Sequence, residues 1–312
     1  MTTRKPLFLI FANFAILLLV FAMLTQSLFV VQRIAVTEEV AGDVVVQRSG
    51  KGEFQHVTKK TLIKNNDVLR AGDDGMAEFK WLDGTRLKMT PNTQLTIKKM
   101  TSNTLKKGDR SEFKLTSGKV FVRIMKSLTP TSKFEIETPT AVAAVRGTIF
   151  SVSVEGGKTQ VAVYKGSVKV SSGDDSKAQK TIVPGEVALS EKSGTVETKP
   201  SSVVNADFES QPSIVKPELT AQVKALKTPS KALVQGQTEV GDKVTIDGRP
   251  TRVRGNGSFL QRVDLKPGLN SFTVVTTDKH GATHSVIATA QGAATSEVAP
   301  SATATSALVP SG

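Results

Sequence analysis

The sequence predicts an all-β protein: one N-terminal transmembrane helix, a large β domain and a smaller β-sandwich. Three observations carry that prediction. Past Val40 short stretches alternate apolar and polar side chains, as in Val44/Val46, Ala77/Phe79/Trp81, Val120/Val122/Ile124 and Val168/Val170. A period of two is what a half-buried strand requires. Turn dipeptides fall between these stretches, at Asp74-Gly75, Asp83-Gly84, Gly156-Gly157 and Ser172-Gly173, and close spacing of strands and turns reads as a sandwich, barrel or short solenoid. Helical periodicity is almost absent over the same region.

Ahead of the strands, Arg4 and Lys5 precede an apolar run from Leu7 to Leu24 interrupted only by Asn13. Eighteen helical residues at about 1.5 Å each span roughly 27 Å, close to the hydrocarbon thickness of a bilayer. Residues 1–33 fit two readings, a cleaved signal peptide or an uncleaved signal anchor. The length of the run and the lack of a clear A-x-A cleavage site favour the anchor. Arg4 and Lys5 then stay in the cytoplasm, and everything from Arg33 onward is exported. The expected location is the bacterial inner membrane, single-pass, with the C-terminal domains periplasmic.

The large β domain is expected over residues 38–192. A form G-x-V-x-V recurs at Gly42, Gly118 and Gly166 without a fixed period, so each Gly is expected to lead from a turn into a strand. The domain centres on residues 134–154. Phe134 and Ile136 share one strand face and Glu135 and Glu137 the other. Pro139 cannot donate to a ladder and breaks the strand. A small-residue run, Ala141 to Val145, permits close packing. Arg146-Gly147-Thr148 then turns the chain into a second strand with Phe150, Val152 and Val154 on one face. Arg146 is expected to bond turn carbonyls and pin the two strands. Its alternative role is a contact to an anionic partner. Arg146→Ala should lower the melting temperature if the first role holds.

The stretch T-P-T-A-x-x-A-V-R-G-T-x-F, with Thr138, Pro139, Thr140, Ala141, Arg146, Gly147, Thr148 and Phe150, closely resembles the signature of the FecR-like domain. That domain is the periplasmic module of iron-citrate-type signalling regulators. Val68–Asp83, the Asp83-Gly84-Thr85 turn, Lys165–Val170 and Val183-Pro184-Gly185-Glu186 are similar to other parts of it. The resemblance implies a transmembrane regulator with a sigma-factor-binding cytoplasmic segment. Here the expected cytoplasmic tail is about six residues, too short to bind a sigma factor.

Residues 193–217 hold Pro200, Pro212 and Pro217, with Phe208 as the single aromatic, and are expected to form a mobile linker without a core. In residues 218–291, Val244 and Ile246 share a strand face, Asp247-Gly248 suits a tight hairpin turn, and Phe259, Gln261, Val263 and Leu265 share the next face. With Val234-x-Gly236-x-Thr238-Glu239-x-Gly241-Asp242 ahead of them, these residues resemble a bacterial Ig-like module of the glucodextranase-B type. Residues 292–312, rich in Ala, Thr, Ser and Pro, cannot bury enough apolar surface to order themselves.

Composition narrows the chemistry. There is no Cys, which excludes disulfides, thiolate metal sites and cysteine nucleophiles. Of the three histidines, His280 and His284 fall at a turn and a strand start, so no zinc site is expected. The pairs Asp73-Asp74 and Asp174-Asp175 lack calcium-loop spacing. No G-x-S-x-G and no phosphate loop occurs, so no catalytic residue, cofactor or enzymatic activity is expected. With 41 Lys and Arg against 28 Asp and Glu, the net charge is +13. That charge suggests attraction to polyanions, whether acidic wall polymer, lipopolysaccharide, anionic lipid or nucleic acid, beside the plainer reading of a solvated basic surface. The expected partners are the membrane and acidic envelope polymer or another envelope protein. A single Trp and a single Tyr argue against a specific nucleic-acid surface. The expected function is a non-enzymatic, membrane-anchored envelope protein with a binding or scaffold module. The alternative is a transmembrane regulator acting through a separate cytoplasmic partner.

Overall fold

A computed structural model describes residues 13–17 and 30–292, apart from 106–107, 125–128, 146, 173–178, 192–194, 202–203, 227, 229 and 280. Most of the anchor segment and the tail after residue 292 lie outside the described residues. Residues 13–17 are helical, and among the described residues no helix is long and apolar enough to cross a membrane. The chain forms two compact units, one running to Pro217 and one beginning at Glu218. Apart from a few short helices, both are built of strands.

In the first unit the strand Gly108–Arg123 belongs to two sheets. Its first part pairs with Gln94–Asn103 on one side and, in parallel, with Lys133–Glu137 on the other. That sheet continues through Ala141–Val145 and Val168–Ser172 to Gln179–Ile182. Beyond Gln94–Asn103 it carries Val30–Gln32 and Val68–Ala71 along one edge, then Val44–Gln47 and Phe54–His56. From Gly118 onward the long strand pairs instead with Arg86–Met89 and Ile149–Glu155. This second sheet extends to Ala35–Ala41 through Met76–Trp81. In the other direction it reaches Val196–Pro200 through Lys158–Lys165 and Glu186–Ser190.

Joined at the shared strand, the sheets form a barrel-like wall around one core. Gly118 sits at the crossover with φ +79°, and a Cβ there would lie 2.3 Å from Thr93 Oγ1. Only glycine fits such a bend. Gly42 and Gly166 also have positive φ and precede strands. Gly118 departs from the expected turn position because it bends a strand that continues through it. The inward residues alternate as expected, with Phe134, Ile136, Phe150 and Val152 buried. Four rings run through the core: Trp81 meets Phe113 at 5.9 Å, Phe113 meets Phe134 at 5.2 Å, and Phe134 meets Phe150 at 6.3 Å.

Three expectations need correction. Ala141–Val145 is itself a strand, forming a hairpin with Lys133–Glu137. Its small side chains obscured an ordinary alternation in which Ala141, Ala143 and Val145 face inward. The folded unit begins before residue 38, because Val30–Gln32 and Ala35–Ala41 are paired strands. Residues 193–217 do not make a coreless spacer. Val196–Pro200 completes a sheet, and the helices Val204–Glu209 and Pro212–Val215 bury Val204, Phe208, Ile214 and Val215. They cover the outward residues Phe121, Ile149, Ala162 and Val187 of the second sheet. Phe208 packs edge-on against Phe121 and stacks with Tyr164, each at 5.2 Å. Arg123, fully buried on that outer face, donates from Nη1 to the Ile214 carbonyl at 3.3 Å.

The second unit is a β-sandwich. Leu219–Ala225, Lys231–Thr238 and Ser258–Asp264 form one sheet. Arg249–Thr251, Lys243–Ile246, Gly268–Thr277 and Thr283–Gly292 form the other. Val234, Ile246, Phe259 and Val274 pack between them. Asp247 and Gly248 both have positive φ and close the expected two-residue hairpin, in which Ile246 opposes Arg249. Thr238 and Thr276, one from each sheet, meet at 2.7 Å and both reach Asp242 Oδ2, at 3.1 and 3.2 Å.

Candidate functional site

Most of the signature residues are engaged inside the first unit. Thr138 and Thr140 flank the exposed Pro139 in the turn between Lys133–Glu137 and Ala141–Val145, and both threonines are buried. The Thr138 hydroxyl accepts from the Ala141 N–H at 2.9 Å. Thr159 Oγ1, from the second sheet, lies 2.8 Å from Thr138 Oγ1 and 2.6 Å from Thr140 Oγ1. Ser190 donates to the Thr140 carbonyl at 2.9 Å, and Thr140 donates to the Ser190 carbonyl at 3.1 Å. This hydroxyl cluster fastens a turn of one sheet to two strands of the other. Thr148 donates to the Ser167 carbonyl at 2.9 Å, Gly147 adopts φ +65°, and Ala141 and Phe150 are core residues. Arg146 lies outside the described residues. Beside these strands a groove of about 340 Å³ is lined by Lys133, Phe134, Val145 and Lys169. Lys133 is paired there with Glu135 at 2.7 Å.

A larger cleft, about 770 Å³, opens between Gln32, Arg48, Leu62, Lys64 and Asn66. Asp67, buried beneath it, holds the surrounding loops together. Its Oδ2 accepts from Arg48 Nη1 at 2.7 Å and from the Lys64 N–H at 3.0 Å, while Oδ1 accepts from the Ser49 N–H at 3.2 Å. Arg48 Nη1 also donates to the Leu62 carbonyl at 2.8 Å. Bonds of Gln94–Asn103 fix the loop from the other side: Asn66 N–H donates to Ile97 O and Met100 N–H to Asn65 Oδ1, both at 2.6 Å. The loop therefore fills the gap between Val30–Gln32 and Val68–Ala71 along one strand edge. Ser49 and Asn66 sit at φ +52° and +65° in the cleft wall. Sequence reading missed this site, since its residues are dispersed from 32 to 67. The one local signal is the turn-forming run Asn65-Asn66-Asp67.

A third feature is an ion-pair cluster on the outer face of the second sheet. Glu78 and Arg86 are both buried there and bonded through Oε1 and Nη1. A bulge between Thr37 and Glu39 shifts the strand register at Glu38. Glu38 lies 3.7 Å from Arg86 Nη2 and 3.9 Å from Lys80 Nζ. Bulges commonly re-aim a side chain in this way. Glu78 also lines a groove of about 320 Å³ with Glu39, Val40, Met76 and Lys88. Lys98 and Lys158 are held above their ordinary pKa of 10.5, first by hydrogen bonds to Glu137 and Glu191 and then by those carboxylates' charge. Neither lysine lines any of these three clefts. Among the described residues, no group of three or more His, Asp or Glu is placed to hold a metal ion. The clefts offer charge and hydrogen bonds for holding a ligand.

Residues 67–169 match the family model described as FecR protein, a third of the chain. No curated protein sequence matches. Two crystal structures of a candidate anti-sigma factor from Parabacteroides distasonis, at 1.65 and 2.50 Å resolution, are similar at 18% identity, with TM-scores of 0.38 and 0.37. Each covers 46% of this chain, which spans 64% of theirs. A polysaccharide lyase aligns with 79% of this chain and 39% of its own, at 10% identity and a TM-score of 0.19. Likeness at these TM-scores adds nothing to what the strands themselves establish.

Proposed function

We propose that this chain, which carries a FecR-like domain matched over residues 67–169, is a non-enzymatic, membrane-anchored envelope protein. The exported domain serves as a binding or scaffold module, and the second unit, similar to bacterial Ig-like modules, is a spacer or second contact. The observation that carries this reading is the internal engagement of the signature hydroxyls. Thr138 and Thr140 bond Thr159, Thr140 and Ser190 exchange bonds with each other's backbone, and Thr148 bonds the Ser167 carbonyl, so the motif supports a framework. Binding then falls to surface clefts such as the one above Asp67. The anchor reading rests on the apolar run Leu7–Leu24.

A regulatory reading is favoured by the family match, because FecR-type domains belong to signalling regulators. In that case the membrane helix passes an envelope signal to a separate cytoplasmic partner, and Asn13 within the apolar run supplies an amide for helix pairing. The testing experiment is the intact mass of the protein from its native membrane fraction, with protease applied from each side. A mass that includes residues 1–33, with cleavage of both β units only from the outer side, supports the anchored module. A mass beginning near Ala35 overturns the anchor and with it any signalling across the membrane.

A further inference from the structure

We propose that the cleft above Asp67 is a phosphate-headgroup site, filled by an anionic phospholipid of the bilayer beside which the first unit begins. The inference rests on reading Leu7–Leu24 as the membrane anchor. Gln32, in the cleft wall, follows Leu24 by eight residues. At a maximum of about 3.5 Å per residue, these place the cleft within roughly 30 Å of the point where the chain leaves the hydrocarbon.

The chemistry of the cleft suits a phosphodiester. The Asp67 carboxylate is turned inward and occupied by Arg48, Ser49 and Lys64 backbone or side-chain donors. It compensates Arg48 alone. Lys64 is exposed at the cleft, and among the described residues no carboxylate pairs with its ammonium. One uncompensated cation, beside a guanidinium already held in place, attracts a single negative charge.

What distinguishes a lipid from a free anion is the apolar border. Leu62, in the cleft wall, is 44% exposed, and Val36, opposite it in the ladder, is 36% exposed. Val30 and Val31, on the chain leading to Gln32, and Ile34, two residues past it, are also exposed. A soluble phosphate or an acidic polysaccharide makes no use of such side chains. A bilayer surface does, taking the apolar residues among acyl chains while cations meet headgroups.

The test uses the full chain in nanodiscs of phosphatidylcholine alone or with one-quarter phosphatidylglycerol, read by amide hydrogen exchange over residues 48–67. Exchange about tenfold slower in the anionic discs is expected, the factor that accompanies headgroup at roughly ten times its Kd. Lys64→Glu, at an exposed position with no packing to lose, should abolish the difference while leaving exchange of the core strands unchanged. Equal exchange in both discs, or a difference that survives Lys64→Glu, overturns the site. Protection by inorganic phosphate in phosphatidylcholine discs overturns the lipid as its source. A chain that enters neither disc refutes the anchor separately. Its sedimentation with phosphatidylglycerol vesicles then decides the site: loss in Lys64→Glu supports it, and unchanged binding overturns it.

Discussion

Replacing Phe208 tests whether the two short helices belong to the fold. Phe208 is fully buried and packs against Phe121 and Tyr164 at ring distances of 5.2 Å. Phe208→Ala removes a buried ring from between a helix and a sheet, and such truncations cost about 3–5 kcal/mol. For a unit of this size each kcal/mol lowers the melting temperature by about 2–4 °C, so a drop of roughly 6–20 °C is expected. The chain supplies its own reporter. Trp81 is the single tryptophan and is 3% exposed in the core of the first unit. Its emission follows the urea or thermal unfolding of that unit alone. A loss below about 1 kcal/mol, typical of a surface substitution, would refute the docked helices and restore the mobile spacer expected from composition.

Four further outcomes are open to the same melt. Thr159→Val should cost about 1–3 kcal/mol, because it leaves the buried hydroxyls of Thr138 and Thr140 without their shared partner. Arg86→Met should cost about 3–5 kcal/mol by stranding the buried Glu78 carboxylate, and replacing both residues with apolar ones should recover much of the loss. Gly118→Ala should destabilise by more than about 1 kcal/mol, since φ is +79° and Thr93 blocks the new Cβ; an unchanged melt would remove the bend from the account of the shared strand. Lys98 has a folded pKa raised above 10.5 by Glu137, so its stabilisation is complete below that value and fades as pH rises through the folded pKa. Both partners are well exposed, which keeps the effect under about 1 kcal/mol. Glu137→Gln should remove this alkaline dependence, as measured by stability between about pH 9 and 12.

The all-β class and many strand faces were legible in the sequence. Phe134/Ile136, Leu87/Met89, Val161/Val163 and the Asp247-Gly248 hairpin follow from alternation and turn chemistry within a few residues, and those are local properties. The signature motif was legible only in part. The break at Pro139 falls at the turn between Lys133–Glu137 and Ala141–Val145, but the small-residue run did not show itself as the strand it forms. The structure adds why the turn needs hydroxyls: Thr159 and Ser190 come from strands of the other sheet. What tertiary structure alone decided is pairing across distance. The parallel match of Gly108–Arg123 with Lys133–Glu137, the crossover at Gly118 and the helical cover over Phe121 each join surfaces far apart in the chain. The segment carrying Phe208 looked coreless because its composition was judged by itself, whereas the apolar surface that orders it is spread over strands from Phe121 to Val187. The Asp67 cleft was invisible for the same reason. Gln32, Arg48 and Lys64 become one site only when a buried carboxylate and the edge of Gln94–Asn103 bring their loops together.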